Sequence, residues 1–226
     1  MSRLLAIDTA TEACSAALWL DGELRERYVV APREHARLLL PMVEELLTEA
    51  GLALGDLDAL AFGRGPGSFT GVRIAAGMAQ GLAFSAGLPV VPVSSLAALA
   101  QGVAHAEQPR LLAAIDARMG EVYWAQYVLD ANGLVVLEGD ERVCAPDAVQ
   151  VPDESGWFGV GSGWQTYAEL LQTRLAGVVD GYDGTRFPRA TEVARLGAAA
   201  FERGAAQPAE RAIPVYLRDR VADKPG

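Results

Sequence analysis

The chain has 226 residues, of which 51% are hydrophobic, and its 19 basic and 29 acidic side chains give a net charge of −10. This length allows one large core or two small ones. The acidic excess argues against a chain that binds nucleic acid by itself, because phosphate groups would be repelled. Cys14 and Cys144 form no Cys-x-x-Cys pair, so we expect small core residues rather than disulfide partners. Leu4 to Ile7 is only long enough for a strand, so no signal peptide is predicted and we expect a cytoplasmic protein.

The first 50 residues predict a three-stranded meander followed by a helix. Asp21-Gly22 between two apolar runs is a strong hairpin signal. The predicted strands are Leu4–Asp8, Ser15–Leu20 and Glu23–Val30. The helix, His35–Ala50, has apolar residues at spacings of three and four and stops at Gly51. Pro41 should kink this helix or mark its true first turn.

A glycine-rich turn and a helix follow, in the stretch GRGPGSFTGVRIAAGMAQGLAFSAG at Gly63–Gly87. A short buried strand, Ala59–Phe62, leads into the turn, and Ser68 or Thr70 can cap a helix that runs to about Ser85. This layout can bind an anion at the helix N-terminus. It lacks the P-loop lysine and the dinucleotide glycine spacing, so a purely structural turn is the favoured alternative.

Gly77 and Gly81 lie one turn apart inside that helix, where each costs about 1 kcal/mol relative to alanine. Close packing, against the chain's own sheet or against another helix, should offset this cost. A membrane helix would also use Gly-x-x-x-Gly, but polar residues and prolines break the uncharged run Ile74–Ala104 into pieces that are too short to span. We expect instead a strand at Pro89–Val93 and a helix from Ser95 to about His105.

The second half repeats the first. A polar segment at Glu107–Arg110 suggests a boundary, which divides the chain into residues 1–106 and 107–226. The elements predicted after it are strands at Leu111–Asp116, Glu121–Leu129, Leu134–Glu138 and Trp157–Val160 and helices at about Trp164–Leu175 and Thr191–Arg203. Two meanders, each with aspartate at the end of its first strand, predict an α/β protein of two duplicated β-β-β-α lobes, with mixed sheets flanked by helices and a cleft between them.

This duplication, with Asp8-Thr9-Ala10-Thr11, Asp116-Ala117-Arg118 and the glycine-rich turn, resembles the actin, sugar-kinase and heat-shock ATPase superfamily of ribonuclease-H-like folds. The phrases AIDTATEACSAAL, GRGPGSFTGVRIAAGMAQGLAF, IDARMGEVYWAQY, VGSGW and PVYLR resemble the bacterial TsaB (YeaZ) family over nearly the whole chain.

The resemblance implies a non-catalytic subunit of the complex that places a threonylcarbamoyl group on an adenosine beside the tRNA anticodon. It also implies partners: the catalytic paralogue TsaD, the small ATPase TsaE, and a separate enzyme that makes threonylcarbamoyl-adenylate. We expect tRNA to be handled only through the complex, and no membrane. The alternative is a stand-alone ATPase, kinase or hydrolase of the same fold.

The catalytic paralogue carries a His-x-x-x-His pair that holds a metal ion, and this chain has Ser95 and Leu99 at those positions. Its two histidines, His35 and His105, lie far apart in the chain. We therefore expect no metal site and no catalytic residue.

Asp8 and Asp116 end strands where the superfamily holds a magnesium–phosphate pair. A vestigial nucleotide cleft would comprise Asp8, Thr9, Thr11, Asp116, Gly161 and Gly163. The lobes lack the insertions that close an adenosine pocket, so we expect that the chain requires no cofactor, with Mg-ATP binding as the weaker alternative.

Two helices, His35–Ala50 and Thr70–Ser85, are the predicted partner surface. Leu38 and Met42 form an apolar strip that either a neighbouring helix of the chain or a partner would cover. The predicted interface residues are His35, Leu38, Leu39, Met42, Leu46, Arg73, Gly77 and Gly81. The same patch could form a two-fold homodimer when TsaD is absent. No role follows for Pro214–Arg218, and Asp219–Gly226 is predicted to be a loose tail.

Overall fold

The computed structural model describes residues 2–218, which form two five-stranded mixed sheets. The predicted tail, 219–226, lies outside the described residues. The first sheet has the order β3-β2-β1-β4-β5. Its strands are β1 (Arg3–Asp8), β2 (Ala13–Leu20), β3 (Glu23–Val30), β4 (Ala59–Gly63) and β5 (Val90–Val93). β1 is antiparallel to β2 and parallel to β4, so the meander and the later strands meet at the central strand β1.

The second sheet repeats this topology in the order β10-β9-β6-β7-β8. Its strands are β6 (Arg110–Arg118), β7 (Glu121–Leu129), β8 (Val135–Cys144), β9 (Trp157–Val160) and β10 (Val179–Asp183). Here β6 is central, antiparallel to β7 and parallel to β9. The predicted duplicated actin-like, ribonuclease-H-like α/β fold is confirmed.

Within residues 2–218, three α-helices belong to the first half of the chain and three to the second. They are α1 (His35–Ala50), α2 (Phe69–Ala86), α3 (Ser95–Gln101), α4 (Ser162–Thr166), α5 (Ala168–Arg174) and α6 (Ala190–Glu202). In β1, Leu5 and Ile7 face the core beneath α1 and α2. Leu4 and Ala6 face the opposite core beneath α6, because successive side chains of a strand point to opposite faces.

Two helices pack across the sequence division at residue 106. α6, which follows the second sheet in the chain, covers the first sheet, and a Cβ at Gly197 would lie 2.6 Å from the Ala61 Cβ. α3, from the first half, supplies Leu96 and Leu99 to the core of the second sheet. The division remains a prediction, and the two lobes interlock by exchanging these helices.

α1 has the predicted bounds and runs uninterrupted through Pro41. Other elements differ from the prediction for local reasons. The helix predicted at 164–175 is two helices that meet at Tyr167, which has a non-helical φ of −122°. β10 was not predicted, because its sequence VDGYD is short and contains a glycine and two aspartates.

Cys14 is buried and Cys144 is half-buried, and both are free thiols. None of the helices in residues 2–218 is long and apolar enough to cross a membrane.

Candidate functional site

Asp8, at the end of β1, points into the protein interior. Its side chain accepts hydrogen bonds from the Ser95 hydroxyl at 3.0 Å and from the Ala10 backbone N–H at 2.9 Å. A Cβ at Gly63 would lie 1.8 Å from Asp8 Oδ2, so the carboxyl group needs the glycine beside it. Burial raises the pKa of Asp8 to about 6, although the two hydrogen bonds oppose this rise. The carboxyl group is therefore engaged within the fold.

Ser95 and Leu99, the residues at the two imidazole positions, are both buried in α3. Ser95 is bound to Asp8, and Leu99 packs against Gly161, where a Cβ would lie 2.4 Å from Leu99 Cδ2. The two imidazole positions are thus occupied by a hydroxyl group that is hydrogen-bonded to a carboxyl group and by an aliphatic side chain. Within residues 2–218, no group of three His, Cys, Asp or Glu side chains is arranged to hold a metal ion.

A cavity of about 910 Å³ lies between the two lobes. Its walls come from the turn after β1, the first turn of α2, the end of β6, the helix α4 and the segment 215–218. Thr11 and Asp116 contribute to the lining. They are the residues of the predicted nucleotide cleft that line this cavity.

The other predicted nucleotide residues serve the fold instead. The Thr9 hydroxyl is buried and donates to the Gly71 carbonyl at 2.7 Å. Gly161 and Gly163 both pack on Ala114. The structure therefore does not bring the six predicted residues together around one ligand.

An arginine occupies the position in front of Asp116. Arg118 lies 3.0 Å from Asp116 Oδ2 and 3.0 Å from Glu12 Oε1, so it pairs with one carboxylate from each lobe. The Asp116 backbone N–H donates to the Ser162 hydroxyl at 3.1 Å. The Asp116 carboxylate is thus paired with a positive charge from this chain's own β6 strand.

A buried polar cluster, which the sequence did not predict, also joins the lobes. Arg64, between the glycines of the turn, pairs at 2.9 Å with Glu141 of β8, whose side chain is 7% exposed. Glu141 accepts further hydrogen bonds from Tyr127, at 2.9 Å, and from Ser94. Burial and the Glu141 charge raise the pKa of Tyr127 well above its ordinary value. The Gly-Arg-Gly order was the available signal, because it places a charge inside an otherwise apolar turn.

The predicted partner surface is partly accessible. Arg73, Gly77 and Gly81 form an exposed stripe at i, i+4 spacing on α2. Among residues 2–218, no other side chain or loop approaches within 4 Å of a Cβ built at Gly77 or Gly81. Phe69 and Phe84, which the prediction did not include, lie on the same helix with 53% and 70% of their surface exposed.

The α1 side of that surface needs correction. Leu39 and Leu46 are fully buried in the chain's own core, so they do not lie on a free surface. His35 is 7% exposed, and its Nε2 atom has no hydrogen-bond partner among residues 2–218. Leu38 and Met42 are half-buried against the same core, which leaves part of each side chain accessible.

The sequence and fold of this chain are similar to those of known proteins. The family model described as "TsaD: tRNA N6-adenosine threonylcarbamoyltransferase" matches residues 29–225. The "tRNA threonylcarbamoyladenosine biosynthesis protein TsaB" of Escherichia coli K12 is 48% identical over 98% of this chain and 97% of its own length. The protein of the same name from Haemophilus influenzae is 42% identical over 98% of this chain and 95% of its own.

A solved structure agrees with the sequence relatives. The structure described as "YeaZ from Pseudomonas aeruginosa" is 50% identical, superimposes with a TM-score of 0.89, and covers 96% of this chain and 100% of its own. Identity of this level over nearly the full length, together with the shared two-lobe fold, shows that the chain belongs to the TsaB (YeaZ) family.

Proposed function

We propose that this chain is a non-catalytic subunit in the biosynthesis of threonylcarbamoyladenosine on tRNA, and that it binds and supports the catalytic paralogue TsaD. The names of the full-length relatives support the pathway. The observation that carries the non-catalytic role is the filled position at α3: Ser95 is bound to the buried Asp8, and Leu99 packs on Gly161. Neither residue offers a metal ligand of the kind that the paralogue's two imidazoles provide.

The exposed stripe of α2 supports the docking role. Gly77 and Gly81 allow the backbone of a second helix to approach closely, and the flanking phenylalanines offer the aromatic anchors that dominate interface energies. A standard interface buries about 800 Å² on each partner, which the α1 and α2 surfaces can provide.

TsaE acts in the same complex. With a net charge of −10, this chain leaves the binding of tRNA phosphates to other subunits. In the absence of TsaD, the same surface would form a homodimer.

Reconstitution tests the proposal. Threonylcarbamoyl transfer to tRNA is measured with purified TsaD, TsaE and the adenylate-forming enzyme, with and without this chain, and with this chain alone. We expect transfer to be lost when the chain is omitted and to be undetectable with the chain alone. Transfer that persists without the chain, or steady ATP hydrolysis by the chain alone that added TsaD does not change, would instead favour an independent enzyme.

The docking surface has its own test. Gly77→Leu with Gly81→Leu adds two side chains into open space, so the isolated chain should keep its circular dichroism spectrum and thermal transition. The variant should nevertheless fail to co-elute with TsaD. Glu169→Leu with Thr173→Leu is the matched control, since it adds two leucines at the same i, i+4 spacing on the exposed side of α5. Normal binding of the glycine variant would refute docking through α2.

A further inference from the structure

The segment Ile213–Arg218, which contains the phrase PVYLR, lies across both lobes. Its first anchor is on the glycine-rich turn of the first lobe. The Val215 backbone N–H donates to the Arg64 carbonyl at 2.8 Å. A Cβ at Gly65 would lie 3.2 Å from the Val215 carbonyl oxygen, so the turn and the segment are in close backbone contact.

The second anchor is on the first turn of α2. The rings of Tyr216 and Phe69 have centroids 6.2 Å apart. The Arg73 guanidinium lies 3.2 Å from the Phe69 ring centroid and 5.3 Å from that of Tyr216. Cation–π contacts of this kind hold a long arginine side chain in one orientation. Tyr216 therefore helps to set where Arg73 lies on the exposed stripe.

The third anchor is on the β6–β7 turn of the second lobe. Arg218 donates to the Ala117 carbonyl at 3.1 Å and forms an ion pair with Glu121. The Arg218 side chain is 19% exposed, so these charge-assisted bonds are partly shielded from water. Val215, Tyr216, Leu217 and Arg218 all line the cavity between the lobes. The segment thus forms one wall of the cavity and ties its two sides together.

We propose that residues 213–218 are a clasp between the lobes that couples the β6–β7 turn to the docking surface on α2. When the clasp is in place, Arg218 holds the turn and Tyr216 holds Arg73 in the orientation that the partner meets. The coupling to docking rests on the proposed binding of TsaD at α2. The clasp itself does not, because all three anchors lie within this chain.

Arg218→Ala tests both parts. In hydrogen exchange of the full chain, loss of a charge-assisted bond should speed exchange of the 117–121 amides by about tenfold. Affinity for TsaD should also fall by about fivefold, which is the low end of ordinary coupling between distant sites. We expect this fall even though Arg218 contacts the β6–β7 turn rather than the docking surface on α2. Glu121→Gln removes the same ion pair from the other side and should act in the same direction. Arg211→Ala is the matched control, since this exposed arginine forms no ion pair among residues 2–218.

The outcomes separate the two proposals. Unchanged exchange in both clasp variants would overturn the clasp. Faster exchange with unchanged TsaD affinity would overturn the coupling and leave only a local tie. If the wild-type chain does not bind TsaD at all, the proposed function fails, and the exchange measurement still decides whether the clasp exists.

Discussion

Glu141→Ala should destabilise the protein more than any change at an ordinary surface carboxylate. The side chain is 7% exposed and accepts hydrogen bonds from Arg64, Tyr127 and Ser94. Its removal leaves the guanidinium and two hydroxyl groups without their acceptor. Tyr127 and Ser94 lie 3.3 Å apart and can still bond to each other, so the uncompensated group is Arg64.

Breaking a buried ion pair by removing one partner costs about 3–5 kcal/mol. The Arg64 side chain is 24% exposed and regains some hydration, which favours the lower end, about 3 kcal/mol. For a chain of this length, that loss corresponds to a fall in Tm of about 6–12 °C. Thermal unfolding and urea titration, followed by circular dichroism, measure both quantities.

Glu138→Ala is the control for this change. Glu138 lies on the same strand, β8, but is exposed, so its removal should alter the free energy of unfolding by no more than about 0.5 kcal/mol. If Glu141→Ala matched this control, the cluster would contribute nothing and the reasoning would be refuted. An equal loss in Arg64→Ala and in the double variant would show that the two residues act as one unit.

Three further changes test other parts of the structure. Because burial raises the pKa of Asp8 to about 6, the folded state keeps a proton that the unfolded chain releases near pH 4, so stability should fall by roughly 3 kcal/mol as pH rises from about 3 to about 7. Asp8→Asn should flatten that slope in urea titrations at several pH values, and an unchanged slope would contradict the assignment. Gly63→Ala, whose Cβ would lie 1.8 Å from the Asp8 carboxylate, should lower the free energy of unfolding by about 1–3 kcal/mol. Gly77→Ala, with open space around it, should instead raise that free energy by about 1 kcal/mol, and a loss in the isolated chain would mean that the glycine is required by its own fold.

Much of the fold was predictable because the local turn and strand signals agree with the overall topology. The Asp-Gly turn at 21–22 correctly predicted the β2–β3 hairpin, and the second meander repeats the pattern of the first. The helix placement that the sequence did not predict depends on contacts between residues far apart in the chain. α6 covers the first sheet because the face of Leu4 and Ala6 would otherwise be open to water, and no pattern within α6 itself indicates which sheet it covers.

The site was predicted less well for a related reason. Asp8 ends β1 as predicted, and Asp116 lies two residues before the end of β6, but a sequence does not show in which direction a carboxyl group points. Asp8 turns inward to Ser95, while Asp116 is met by Arg118 from its own turn. A periodic pattern likewise cannot separate the buried Leu39 from its half-buried neighbour Leu38, since both occupy one broad apolar face of α1.

The two glycines of α2 link the sequence to the proposed role most directly. From sequence, their cost of about 2 kcal/mol had to be offset by close packing, either within the chain or against another helix. Within the chain, no other side chain or loop comes within 4 Å of a Cβ at either position, so the first source is absent among residues 2–218. The second source remains, and it would act only when another helix lies against α2. If α2 docks as proposed, the isolated chain gives up about 2 kcal/mol that alanine at these two positions would supply, and close packing against the partner helix would offset that cost.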